Sequence, residues 1–177
     1  MIKVVNLHKG FAGQHVRKGV NLEFTTGKIT TIVGTSGCGK TVLLKHLNAL
    51  LLPDRGEVFV DGVDITKLRQ KELYEMRGRF GVLFQGAALL DSMTIFDNVA
   101  FPLREKTRMS ESQIRKKVEE RLDQVGLEGM GYKYPAELSG GMKKRGGLAR
   151  ALIIDPEIVL FDEPTTGLDP VLATGIH

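Results

Sequence analysis

The sequence predicts an α/β fold, and three observations carry that expectation. The β-branched run KITTIVG, residues 28–34, ends in a glycine-rich turn and is followed at once by apolar residues at helical spacing. A second apolar run, residues 158–161, ends in two acids, Asp162 and Glu163. Between them lies a long stretch of helical patterning. Strand, glycine loop, helix, and later another strand ending in acid is the order of an α/β sheet carrying a helical insertion.

The elements follow in order. Residues 2–7, 16–24 and 28–33 alternate or run apolar as strands do. From Lys40 the period changes, with Val42, Leu43, His46, Leu47 and Leu50 recurring at three- and four-residue steps. Pro53 and Gly56 end that helix, and residues 57–60 resume a strand before a turn at Asp61-Gly62. Ser110 with Gln113 makes a capping box, after which Ile114, Val118, Leu122 and Val125 form one apolar face that Gly126 stops. A further helix is expected over residues 142–153, then the strand 158–161 and the turn-rich EPTTGLDP.

Composition bounds the answer. At 177 residues with 42% hydrophobic content, one domain with a proper core is expected, and 26% charged residues rule out disorder by composition. Glycine supplies 21 residues, about 12% against a usual ~7%, a sign of tight turns or close backbone approaches. Apolar runs such as residues 49–52 fall far short of the ~20 residues that span a membrane. The start, MIKVVNLHKG, has no signal core, and the single cysteine, Cys38, cannot form an internal disulfide. A cytosolic protein is expected. Net charge of +4 and a pI near 9.2 permit nucleic acid, an acidic membrane surface, or solubility alone. Lys143, Lys144 and Arg145 form one basic cluster; residues 104–121 form another that Glu105, Glu111, Glu119 and Glu120 turn into a mixed solvated face.

The chemistry sits in three places. Gly34-Thr35-Ser36-Gly37-Cys38-Gly39-Lys40-Thr41 matches the phosphate-binding pattern G-x-x-x-x-G-K-[ST]. Glycines let the backbone wrap a phosphate with its N–H groups inward, at the positive end of the helix that begins there. Lys40 would reach the β- and γ-phosphates and the Thr41 hydroxyl would ligate Mg²⁺. A nucleoside triphosphate is the expected ligand. Asp162 could hold Mg²⁺, directly or through water, while Glu163 could polarise an attacking water. Acids after an apolar strand are common, and their meaning comes from pairing with the loop, both being expected at the carboxyl edge of one sheet. Finally, Leu138-Ser139-Gly140-Gly141 opens the helix after it, where amides and the Ser139 hydroxyl offer a second anion site. Cys38, among amides and near Lys40, is either a small residue tolerated in the loop or a reactive thiol.

In order, GTSGCGKT, Gln85, LSGG, IVLFDE and Gly167-Leu168-Asp169 resemble the ATP-binding-cassette (ABC) ATPases over essentially the whole chain. Within that family the stretch GVLFQGAALLDSMTIFDNVAFPLRE and the variant LSGGM, with Met142 where most members have Gln, are most similar to the ATPase subunits of Mla-type lipid transporters. The resemblance implies a P-loop NTPase core of the RecA-like kind, with an antiparallel β subdomain and a helical subdomain at residues 86–140. It implies that Phe11 stacks on adenine and that Gln85 senses the γ-phosphate and metal. Ser139, Gly140 and Gly141 would contact ATP held by the opposite protomer of a homodimer, with Asp169 at the same interface. Residues 87–104 would grip an integral-membrane permease at the cytoplasmic face of the inner membrane, with lipid-binding carrier subunits as indirect partners and no nucleic acid expected. ATP hydrolysis with Mg²⁺ would then power lipid transport between envelope membranes. An ATPase of an amino-acid or lipoprotein system, or a non-transport cassette acting on nucleic acid, is the alternative.

One departure stands out. The family's switch histidine follows a later strand, which lies between the phosphate-loop strand and the acid-ended strand. His177 does not match it, and neither do His8, His15 or His46. The resemblance therefore implies a longer natural polypeptide or an incomplete product, and turnover by residues 1–177 alone is not implied.

Overall fold

The computed structural model describes residues 1–11, 14–35, 37–84 and 86–162, with the backbone alone at position 11 and positions 14–18. It divides into two compact units, residues 1–79 and residues 80–177.

The first unit is built on a four-stranded antiparallel sheet. Strands β1 (Ile2–Phe11), β2 (Gln14–Phe24), β3 (Arg55–Val60) and β4 (Val63–Asp64) lie in the order β2-β1-β3-β4. Ile2 faces Phe24 on one side and Val60 on the other, and the alternation of buried Ile2 and Val4 with exposed Lys3 sets that register. The Asp61-Gly62 turn closes a two-residue hairpin, both residues being left-handed (φ 47° and 83°). Helix α1 (Lys40–Leu47) buries Leu43, Leu44, His46 and Leu47, and Leu50 falls beyond its end, on the surface. Helix α2 (Gln70–Arg77) starts where the Arg69 N–H donates to the Glu72 carboxylate at 2.9 Å.

One expected strand is absent. Residues 28–33 form no ladder, and Ile29 and Val33 are 91% and 90% exposed. Composition alone does not make a strand, which exists only where a neighbour takes up its backbone N–H and C=O groups. None of the described strands pairs with this stretch.

The second unit joins a parallel pair to a helical layer. Strand β5 (Phe80–Leu83) pairs in register with β6 (Ile158–Phe161), Leu83 opposite Phe161. Helix α3 (Ile95–Lys106) is capped by Thr94, whose hydroxyl oxygen accepts the Asp97 N–H at 3.1 Å. Helix α4 (Glu111–Gln124) opens with the expected capping box of Ser110 and Gln113, and Gly126 (φ 66°) follows its end. Helix α5 (Gly140–Leu152) begins two residues before the predicted start.

The core of this unit joins Leu83 of β5, Ile95, Val99 and Leu103 of α3, Ile114, Val118 and Leu122 of α4, and Leu148 of α5. Each such side chain contributes on the order of 1.5–3 kcal/mol by leaving water. The outer face is mixed in charge, as expected. Arg104 bridges Asp97 and Glu111 at 2.9 and 3.0 Å, while Lys117 and Arg121 both bind Asp155 at 2.6 and 2.7 Å. Among the described residues, no helix is long and apolar enough to cross a membrane.

Candidate functional site: the phosphate loop, the acid-ended strand and the glycine-led helix

The phosphate loop belongs to the first unit. Gly37 and Gly39 have φ of 76° and 90°, values an L side chain rarely adopts, so the chain can coil here only on glycine. Gly39 is the N-cap of α1, and no acidic residue stands in the first turn to offset the positive helix end. The Cys38 N–H donates to the Thr35 carbonyl at 3.2 Å, tightening the coil. A Cβ on Gly34 would lie 2.6 Å from the Cys38 sulfur, so a side chain at 34 would have to displace the thiol. Lys40 folds back over the loop, its ammonium donating to the carbonyls of Gly34 (2.8 Å) and Thr35 (3.0 Å). Thr41 follows in the first turn of the same helix. The result is a small cationic coil at a helix N-terminus, suited to an anion such as a phosphate.

Asp162 belongs to the second unit. It directly follows β6, is 5% exposed, and donates its N–H to the Leu83 carbonyl at 2.9 Å. Because β5 and β6 run parallel, Phe84 and Asp162 leave the sheet at the same carboxyl edge. No group of three or more His, Cys, Asp or Glu among the described residues could cage a metal.

Helix α5 begins at the third motif. Ser139 is its N-cap, with the hydroxyl oxygen accepting the Met142 N–H at 3.3 Å. The first turn carries no acid here either. Ser139 and Gly140 are exposed, and a Cβ on Gly140 would meet nothing within 4 Å. Nothing within the described residues demands glycine at 140.

Of the other predicted residues, Ser36, Gln85, Glu163 and Asp169 lie outside the described residues, as does His177. Phe11 ends β1, and its side chain is likewise outside the description. The structure adds two polar residues that no motif signals. Asn98 of α3 is fully buried (0% exposed), and Arg150 of α5 reaches it and the Ala87 carbonyl. A buried Asn on an otherwise apolar helical face was the available clue.

Comparison with known proteins places this geometry in a family. The family model described as "ABC transporter" matches residues 17–166. The chain is 52% identical over 170 residues to the "Probable ribonucleotide transport ATP-binding protein mkl" of Mycobacterium leprae (strain TN), covering 96% of this chain and 49% of that protein. It is 48% identical over 171 residues to the "Intermembrane phospholipid transport system ATP-binding protein MlaF" of Haemophilus influenzae, covering 97% of this chain and 65% of that one. The chain thus spans about half to two thirds of the length of these relatives. Among solved structures, the dimeric post-hydrolysis state of the ATP-binding cassette MJ0796 bound to ADP and Pi matches with a TM-score of 0.90 and 35% identity, over 98% of this chain and 78% of that one. With a family model covering most of its length and the cassette fold shared, the chain belongs to the ABC transporter family.

Proposed function

We propose that this chain is the ATP-binding and ATP-hydrolysing subunit of an ABC transporter that moves phospholipid between envelope membranes. The observation that carries the proposal is the phosphate loop: left-handed Gly37 and Gly39, a helix end without acid, and Lys40 poised over the coil. ATP phosphates would take the loop amides, and Lys40 would leave the Gly34 and Thr35 carbonyls for the β- and γ-phosphate oxygens. Thr41, Gln85 and Asp162 are assigned to Mg²⁺, which when bound neutralises charge on those oxygens. Glu163 is the general base that polarises the attacking water, and Phe11 stacks on adenine.

Two chains would act together, as in the dimeric cassette this chain is similar to. The glycine-led end of α5 supports that arrangement, since Gly140 faces open space where a second protomer's nucleotide could approach. Ser139, Gly140 and Gly141 would then contact ATP in trans, with Asp169 beside them. Residues 86–140 form the helical subdomain of a single cassette, and residues 87–104 meet a permease at the cytoplasmic face of the inner membrane. Lipid as cargo rests on the relative named for phospholipid transport. The relative named for ribonucleotide transport favours a second reading in which the same machinery serves a nucleotide cargo.

Mass spectrometry of the native protein, captured from detergent-solubilised membranes of its source, tests the assignment. A co-purifying permease with bound phospholipid is expected. A species found only in the soluble fraction, without membrane partners, overturns the transporter reading.

A further inference from the structure

Helix α5 and the loop before α3 meet through one cation. The Arg150 guanidinium donates to the Ala87 carbonyl at 3.1 Å and makes a longer contact, 3.5 Å, with the Asn98 carboxamide oxygen. That same oxygen accepts the Leu90 N–H at 2.7 Å, and the Asn98 NH₂ lies 3.0–3.1 Å from the carbonyls of Leu90, Met93 and Thr94. Asn98 is thus a buried hub whose hydrogen-bonding capacity is filled.

The loop it holds is an unusual one. Ala87 and Ala88 are both left-handed, at φ 66° and 47°, a conformation that costs a non-glycine residue energy and persists only where the surroundings impose it. The surroundings are α5 itself. A Cβ on Gly147 would lie 2.9 Å from the Ala87 Cβ and carbonyl oxygen, so the loop is pressed against the helix. Burial lowers the Arg150 pKa from its ordinary value, and the oxygens that hold the cation are neutral, one carbonyl and one carboxamide. The guanidinium is held by directional hydrogen bonds where a hydrophobic residue would fill the space without the desolvation penalty.

We propose that Arg150 is a positioning residue that makes α5 and the 87–98 segment one mechanical body, so that movement of the α5 N-terminus is delivered to the segment facing the permease. The proposal rests on the assignment of Ser139–Gly141 to nucleotide contact and of residues 87–104 to the permease. α5 runs from Gly140 to Leu152, so Arg150 lies at the opposite end of a rigid rod from the glycine-led turn. Displacement of that turn by nucleotide would be carried through Arg150 to the Ala87 carbonyl.

The test compares Arg150→Met and Arg150→Lys with the parent in the complete transporter, after checking that each melts cooperatively. Amide exchange of the Leu90 and Ala87 N–H groups in Arg150→Met is expected to quicken roughly tenfold or more, the scale of one lost charge-assisted hydrogen bond. ATP affinity and permease-free turnover should stay within about twofold, whereas stimulation of turnover by the permease should be lost, with Arg150→Lys intermediate. A merely structural role would move exchange and melting but leave the stimulation ratio intact, and that result overturns the proposal. Unchanged exchange overturns it as well. Absence of stimulation in the parent itself contradicts the permease assignment, a failure distinct from that of the Arg150 clamp, which the exchange measurement reads independently.

Discussion

Gly34 and Cys38 face one another so closely across the phosphate loop that a Cβ on Gly34 would sit 2.6 Å from the Cys38 sulfur. Cys38 is half-buried, and its sulfur lies against Gly34 of the loop proposed to hold the phosphates. Any group added to the sulfur occupies that space. Alkylation of Cys38 is therefore expected to abolish ATP binding, and bound ATP to protect the thiol. Full binding after stoichiometric labelling, followed by mass spectrometry and nucleotide titration, would contradict this.

Lys40 supplies the cation of the same coil. Lys40→Ala removes the two hydrogen bonds to the Gly34 and Thr35 carbonyls, both on the surface, so folding should be nearly unaffected. ATP affinity should fall by about 10–100-fold, the scale of a charge-assisted hydrogen bond to phosphate. Calorimetric titration reads the affinity, and thermal melting reads the fold.

Two glycines of α5 should respond in opposite ways to alanine. At Gly147 the new methyl would meet Ala87 at 2.9 Å and a Leu83 methyl at 3.0 Å. Gly147→Ala is expected to destabilise by about 1–3 kcal/mol, even after the better helix propensity of alanine. At Gly140 the methyl meets nothing. Gly140→Ala should leave chemical-denaturation stability within about 1 kcal/mol while lowering ATP turnover, because in the proposed dimer the cost would arise only against the second protomer.

Acid should loosen the α3 cap. Hydrogen bonding from the Thr94 hydroxyl, then from Arg104, holds the Asp97 carboxyl below its ordinary value of 3.8. A carboxylate whose pKa is depressed on folding stabilises the fold fully above the unfolded value, and that stabilisation disappears as pH falls through the folded one. The difference in unfolding free energy between the parent and Asp97→Asn should be constant above about pH 5 and shrink below about pH 4. Its size is at most about 1 kcal/mol, since Asp97 and Arg104 are both more than a third exposed. Urea melts across that range provide the measurement.

The elements that the sequence announced are those with strong local signals. The Ser110/Gln113 box, the face of Ile114, Val118 and Leu122, and the Asp61-Gly62 turn are specified by neighbours a few residues apart, and the structure forms each of them. Strand 28–33 has equally strong composition, yet it forms no ladder, because pairing depends on partners distant in sequence. Helix α2 buries no residue at all, and β5 is only four residues long, so neither carries a periodic pattern that stands out.

The candidate site was legible where a motif dictates backbone geometry. The left-handed glycines of the phosphate loop follow from residue type at fixed spacing, whereas the Ser139 cap was not foreseen, the helix being expected only from residue 142. Asn98 was marked only by its place on an apolar helical face, and Arg150 by no pattern, because their partners are carbonyls and amides, which every residue supplies.

The proposed role of Glu163 as the base for ATP turnover is tested most directly by phosphate release from Glu163→Gln in the complete native protein. ATP affinity should be unchanged and turnover should fall by about 10²–10⁴-fold, as for a lost general base. Turnover equal to the parent's, at equal ATP affinity, would contradict the account.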